Sequence, residues 1–466
     1  MERHLDFTTG KIIGPLMRFA VPVLLAMLLQ ALYGAIDLAI VGQFSSPADV
    51  SAVGTGSQIM MTITGLITSF AMGLTILLGQ HIGEGHMSAG GEIIGTGIGL
   101  FTIIALFLTA AVTLLSGAIT SIMHAPQEAF ALTRVYVLIC GGGALAIVGY
   151  NFIAAVFRGL GDSRTPMITV FIASVFNVAG DLLLVAVFHM GAAGAAIATV
   201  LAQLASVVIS FFLIRRRGLP FEMNRSMIQL DRKIVKRVAL LGAPIALQDF
   251  LVGVSFLIIL AIVNTLGVTA SAGVGVAERV CTFIMLIPLS FMQSMSAFVA
   301  QNKGAGKYDR AIKALWLAIG TSTLFGIVMF FAAFFHGDLL ARVFTNDPEV
   351  IRAAADYLMA YGIDCLLTCF LFCFIGFFNG MGMTTFVMAQ GIIAAFLIRV
   401  PVAWFFSRME PVSLFHIGLG IPMSTVLQII LCFIALQWLK RKHPPTRPSD
   451  RPLGCSVAPW RTRPVL

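Results

Sequence analysis

Unbroken apolar runs separated by short polar loops fill the chain from Pro15 to about Leu439. A helix rises 1.5 Å per residue, so about 20 apolar residues carry it across the hydrocarbon core of a bilayer. Runs of that length lie at about 15–42, 50–80, 92–118, 130–157, 165–188, 191–214, 236–266, 271–300, 311–336, 350–378, 383–407 and 413–439. They predict an all-α membrane protein of twelve transmembrane helices. Membrane barrels are excluded, because their strands are short and alternate in polarity. The first apolar run, Phe19 to Val41, has no small-residue cleavage site after a short core. It reads as the first span rather than a removable signal.

Composition agrees with a lipid-dissolved chain. Of 466 residues, 58% are hydrophobic and only 11% charged, too few to coat a soluble domain of this length. The net charge of +9 gains meaning from its distribution. Arg3, Lys11 and Arg18 precede the first span; Arg158 and Arg164 lie between the fourth and fifth. Arg215, Arg216, Arg217, Arg225, Arg232, Lys233, Lys236 and Arg237 fill the loop between the sixth and seventh. Lys303, Lys307, Arg310 and Lys313 follow the eighth, and Lys440, Arg441 and Lys442 follow the twelfth. The opposite loops hold chiefly Arg342, Arg352 and Arg408. Basic loops stay inside, so both termini are expected in the cytoplasm, with the chain in a bacterial-type inner membrane. The basic excess is then a topology signal and not a nucleic-acid surface. Seven cysteines lie almost entirely in apolar runs and imply no disulfide framework. Cys365, Cys369 and Cys373 share one helix face; small packing residues are a better reading of them than a soft-metal site.

The two halves repeat at an offset of 221–222 residues. Leu38-Ala39-Ile40-Val41 recurs as Leu260-Ala261-Ile262-Val263, and Pro22 as Pro244. Gln80, Gly83 and Gly85 recur as Gln301, Gly304 and Gly306; Tyr136 recurs as Tyr357; Gly159 and Gly161 recur as Gly380 and Gly382. Further on, Thr199-Val200-Leu201 matches Thr425-Val426-Leu427. The expected organisation is an N-terminal lobe (1–214), a cytoplasmic linker (215–235), a C-terminal lobe (236–440) and a disordered Pro- and Arg-rich tail (441–466). An even helix count per unit makes the copies parallel, related by a pseudo-twofold axis along the membrane normal. Two such lobes can rock about a central cleft.

A carboxylate at mid-span costs about 2.5–3.5 kcal/mol on insertion scales, so each one flags a cavity, a partner or a function. Gln30, Tyr33 and Asp37 form one polar stripe on the first span. Asn177 and Asp181 share a face of the fifth, and Thr199 and Gln203 a face of the sixth. Given the alternating span directions, Asp37, Tyr136, Asn177, Asp181 and Thr199 fall at similar depth in the outer half of the N-terminal lobe. They read as one site for a coupling cation. In the second lobe Asp37 aligns with Ile259, Asn177 with Ile398 and Asp181 with Val402, which favours a lobe-specific role over a polar network that only ties helices. Secondary candidates there are Asp249, Asp364 and Glu278, with Glu278 and Arg279 expected to reach the outer vestibule and Arg399 available to neutralise Asp249 or Asp364. The stripe Gly91, Gly95 and Gly99 is expected to allow close helix packing. His81 and His86 read as isolated, solvated loop histidines. No P-loop, HExxH or GxSxG pattern occurs, so neither ATP-driven transport nor a common hydrolase is supported, and no enzyme or cofactor is expected.

The order of several motifs resembles the multidrug and toxic compound extrusion (MATE) family over about residues 8–440. The resemblance rests on Asp37 followed by Val41-Gly42, on Gln80-His81-Ile82-Gly83-Glu84-Gly85, on Arg158-Gly159-Leu160-Gly161-Asp162-Ser163-Arg164-Thr165-Pro166, and on Asn177, Asp181 and Thr199. It implies antiport, in which entry of protons or sodium drives efflux of organic, often cationic, compounds. The branch it resembles couples transport through an aspartate pair in the N-terminal lobe, here Asp37 and Asp181 surrounded by Tyr136, Asn177 and Thr199. Pro22 matches the position associated with bending of the first helix. The glutamate that another branch carries in the seventh helix falls near Val252 here, against that branch's sodium site. Two carboxyls in a half-dry cavity resist ionising together and so can exchange protons. Ionised, with the oxygens of Asn177 and Thr199, the pair offers hard ligands for sodium. Both couplings stay open at this point. The expected partners are a small-molecule substrate and the lipid bilayer, and the expected state is a monomer. The alternative function, a lipid-linked oligosaccharide flippase of the same superfamily, needs a basic cluster in the cleft to hold pyrophosphate, for which only Arg279 and Arg399 are available.

Overall fold

The computed structural model describes residues 6–217 and 227–442. The expected disordered tail beyond residue 442 and the middle of the expected linker lie outside the described residues. The chain forms α1 (Ile13–Phe44), α2 (Pro47–Gly83), α3 (Met87–Ile122), α4 (Gln127–Gly142), α5 (Ala144–Gly159), α6 (Arg164–Val187) and α7 (Gly191–Arg217) in the first lobe. The second lobe holds α8 (Arg232–Asn264), α9 (Val268–Ile284), α10 (Leu286–Gly304), α11 (Tyr308–Phe335), α12 (Pro348–Gly380), α13 (Thr384–Ser407) and α14 (Leu414–Lys442). Ten of these helices are long and apolar enough to span a bilayer alone. The pairs α4–α5 and α9–α10, bent by 53° and 41°, complete the twelve spans. Large apolar side chains such as Leu106, Phe107, Leu114, Leu257, Leu324, Val328 and Leu397 point outward, a belt suited to lipid rather than water.

Local chemistry sets the helix ends and bends. Ser46 and Asp49 close a reciprocal capping box on α2 with Pro47 in its first turn. Asp49 also accepts the Ala192 amide at 2.9 Å, fixing the start of α7. The fourth span bends at Gly143, where a Cβ would meet Val200 of α7 at 2.5 Å. The eighth bends at Met285; Pro288, one turn on, has no N–H for the Ile284 carbonyl. Neither break is repeated in the partner spans α12 and α2, each of which is one continuous helix. α1 passes through Pro22 and α8 through Pro244 without a break.

The lobes meet through α1, α2, α8 and α10, and they close at the end where α2 and α10 finish. Gln80 Nε2 donates to the Gly380 carbonyl (3.1 Å) while Gln301 Nε2 donates to the Gly159 carbonyl (3.0 Å). These are the same interaction made twice, since the residues are repeat partners. A Cβ on Gly83 would collide with the Gln301 carbonyl oxygen, and one on Gly304 with the Gln80 carbonyl oxygen. Between them Gly79 packs on Ala300, and Gly73 on Gly242. Moving away from this end, the last hydrogen bonds between lobes among the described residues are Ser69 to Asp249 (2.5 Å) and Gln293 to the Met27 sulfur (4.0 Å).

Two extended segments cross this closed end. Residues 6–11 lie over α10 and α11, with Phe7 fully buried against Phe19 and Phe298. The Phe7 carbonyl accepts from Asn302 (3.1 Å) and Arg310 Nε (2.8 Å). The rest of the Arg310 fork reaches the carbonyls of Thr9 and Gly10 (2.7 Å each), and Lys307 that of Thr8 (2.8 Å). At the equivalent place in the other lobe, residues 227–230 lie over α3: Thr96 donates to the Gln229 carbonyl (2.9 Å). Gly95 leaves no room for a Cβ beneath Met227, and Gly99 faces Leu230. Gly95 and Gly99 of the α3 stripe therefore seat a connecting segment, not the neighbouring helix expected of them, because a bare backbone lets that segment come so close.

Alanine at Gly83 or at Gly304 is expected to lower stability by similar amounts, about 1–3 kcal/mol for an overpacked contact. Alanine at Gly117, where a Cβ meets nothing, should cause no loss; thermal unfolding in detergent compares the three. Arg310→Ala should accelerate amide hydrogen exchange in residues 8–11 while leaving 227–230 unchanged.

Candidate functional site

Five elements build a polar cleft inside the first lobe. α1 presents Gln30, Tyr33 and Asp37; α4 presents Tyr136 and Cys140; α5 presents Tyr150; α6 presents Asn177 and Asp181; α7 presents Thr199 and Gln203. Asp37, Asn177 and Asp181 are 5%, 1% and 0% exposed. The Asp37 and Asp181 carboxyls lie within hydrogen-bonding reach of each other. Tyr33 sits beside Gln203 and Asp37, and Tyr136 beside Thr199 and Cys140. Gln30 Nε2 donates to the Tyr150 hydroxyl (3.1 Å). Gln30, Tyr33, Tyr150, Asn177, Thr199 and Gln203 line one small pocket. Immediately after Asp181 the chain makes a π-helical turn, Leu182–Val187, a widening that often marks functional positions. All seven first-lobe side chains expected at the site converge here. Tyr150 was not among them; it lies beyond the bend at Gly143, so no helical spacing from Tyr136 announces it.

The cleft is rich in polar atoms without partners. Asp37 Oδ1, both Asp181 oxygens, both polar atoms of Asn177 and Gln203 Oε1 are buried and make no hydrogen bond. Each such group costs about 1–3 kcal/mol, so a network serving only to tie helices together would satisfy its members. Ionised carboxylates only accept. Two of them in contact attract each other only when one carries a proton or an ion lies between.

The second lobe fills the same region differently. Ile259 is fully buried in an apolar core, and Ile398 and Val402 stay apolar. Arg399 enters instead, on the π-helical turn Ala395–Arg399. It donates to Ser424 (3.2 Å) and Ser255 (3.1 Å) and lies over the Phe256 ring at 4.5 Å. Of the two aspartates open to it, Arg399 neighbours Asp364, which also faces Thr425. Asp249 faces the other lobe and binds Ser69; its surface is accessible, yet it stands in the seam rather than in open solvent. Glu278 was expected in the outer vestibule. It is half-buried beside Tyr357 and Tyr361, and only Arg279 is exposed, since adjacent helical residues point about 100° apart. Cys365, Cys369 and Cys373 are buried thiols, and Cys369 donates to the Ser322 carbonyl. His81 and His86 are not isolated, contrary to expectation. The chain turns back at the end of α2 and both rings meet Glu84.

The MatE family model matches residues 22–183 and again 244–405, one unit found twice and beginning at the repeat partners Pro22 and Pro244. YpnP of Bacillus subtilis (strain 168), a probable multidrug resistance protein, is 26% identical over 430 residues, 92% of this chain and 96% of its own. NorM of Thermotoga maritima, also a probable multidrug resistance protein, is 23% identical over 433 residues, covering 91% and 93%. Among solved structures, an outward-facing multidrug resistance MATE family transporter superposes with a TM-score of 0.87 at 20% identity, over 95% of this chain and 98% of that one. The family unit covers most of each six-span lobe, and on that ground the chain belongs to the multidrug and toxic compound extrusion family.

Proposed function

We propose that this integral membrane protein is a secondary antiporter, which exports organic, often cationic, compounds in exchange for a cation by alternating access. The observation that carries this reading is the buried contact between Asp37 and Asp181, set beside a pocket of the first lobe in a molecule whose lobes are joined by reciprocal contacts at one end. The relatives' multidrug names agree with it. By the positive-inside rule the joined end, with Lys11, Arg18, Arg158, Arg164, Lys303 and Arg310, lies in the cytoplasm, which leaves the opposite end to open outward during transport.

Coupling follows from the pair. Two carboxyls in contact share a proton readily, and a proton arriving from outside relieves their repulsion, changing how the walls of α1 and α6 pack. This supports proton coupling. Sodium is the second reading, favoured by the unpaired oxygens of Asn177 and Asp181, which with Asp37 and Thr199 offer hard oxygen ligands. A flippase that grips pyrophosphate is not favoured: Arg399 is already engaged by Ser255, Ser424 and Phe256.

Asp37→Asn and Asp181→Asn should each abolish gradient-driven efflux in vesicles, normalised to inserted protein, while Asp338→Asn, at a half-exposed aspartate beside Arg342, leaves it intact. Normal transport by both would reduce the pair to structural groups. Imposing a proton gradient and a sodium gradient separately identifies the ion. Reporter fusions at Lys440 and within 215–235 should both read cytoplasmic, and a periplasmic signal from either reverses the orientation.

A further inference from the structure

Outside the cleft, the corner between α2 and α3 gathers three metal-ligating side chains. α2 ends at Gly83, and Gly85 takes φ +78°, a left-handed conformation suited to glycine. The chain reverses, and the His86 amide bonds back to the His81 carbonyl at 3.1 Å. This turn brings His81 Nδ1 to 3.0 Å and His86 Nδ1 to 3.3 Å from the same oxygen, Glu84 Oε2. One ligand atom from each of the three residues lies within 4.8 Å of the other two. Ligands held at about 2.0–2.2 Å from one ion stand roughly 3–3.5 Å apart, a spacing that the two histidine–Glu84 separations match. His81 Nδ1 is buried and makes no aligned hydrogen bond despite its 3.0 Å approach to the carboxylate.

We propose that His81, Glu84 and His86 bind one divalent transition-metal ion of the zinc, cobalt, nickel or copper class, with water completing its shell. Two imidazoles and one carboxylate match the preferences of these ions, whereas magnesium and calcium select all-oxygen sites. The site belongs to the first lobe alone. Its repeat partners are Asn302, Ala305 and Lys307, and there Asn302 and Lys307 hold the carbonyls of Phe7 and Thr8 instead. The location is also mechanical. Gly83 touches the Gln301 backbone across the seam, and Glu84 attracts Lys303 of the opposite lobe. A bound ion turns that lone anion into a net cationic centre facing a lysine.

The test uses full-length protein without a histidine tag, stripped with chelator and held in nanodiscs. Zinc chloride is titrated calorimetrically, and cobalt chloride by its visible absorption. One saturable equivalent is expected. His81→Ala, His86→Ala and the isosteric Glu84→Gln should each weaken it at least about tenfold, since even ligand-supporting residues matter that much. His336→Ala, at an exposed histidine elsewhere, should leave it unchanged, and magnesium chloride should give no saturable heat. Circular dichroism and elution volume establish that the variants are folded. Absence of one-equivalent binding by the unmodified chain, or wild-type affinity in folded His81→Ala and Glu84→Gln, overturns the proposal; the histidines then only pair with Glu84.

Discussion

An ionisable group removed from water has to be neutralised, shared or wrapped in hydrogen bonds, and inside a bilayer no loose solvent is at hand to do it. The two lobes meet this demand in opposite ways. The first places two acids face to face and leaves their oxygens without donors, an arrangement at ease only while something positive is present. The second supplies its own cation: Arg399 stands beside Asp364 and is held by two hydroxyls and an aromatic face. One lobe leaves its buried acids without a matching donor, and the other sets a cation of its own beside its acid.

A movable charge does work only if the protein has two shapes to choose between. The seam supplies the constraint that makes this possible. It joins glycine–carbonyl contacts and two glutamine hydrogen bonds to apolar packing, such as Met72 and Ile76 against Leu241, Ile245 and Ala300. Short-range contacts of this kind are lost together when the lobes rotate. The crossing segments 6–11 and 227–230 lie over the same end and tie the chain leading into each lobe to the opposite one. The closed end is thus held by many modest, separable bonds, as a cycling joint requires.

The twelve spans are legible in the sequence because the bilayer imposes a length that any apolar run must reach. The repeat is legible because paired motifs such as Gln80 and Gln301 keep their order. Asp37 and Asp181 stand out because a charge in an apolar run has so few explanations. Direction is another matter. Hydropathy measures length, so the bends at Gly143 and Met285 leave no trace in it. A lone GxxxG spacing tells that something comes close to α3 without telling what, and the visitor is a connecting segment rather than a helix. The partner of Arg399 depends on how α12 and α13 are rotated against each other, which no spacing within either helix specifies. The histidines of the α2–α3 corner look separate in sequence because their convergence depends on the left-handed turn at Gly85.

The reciprocal seam also bears on how such a molecule is inherited. Each lobe's glycine accommodates a carbonyl of the other lobe, so a bulky change at either joint has to be answered in a stretch of chain 221 residues away. The walls of the two clefts carry no such obligation. That is where Asp37 and Ile259, or Val178 and Arg399, have gone separate ways. A duplicated gene of this kind diversifies in its chemistry while its joint stays a matched pair, each copy acting as the template that holds its twin in place.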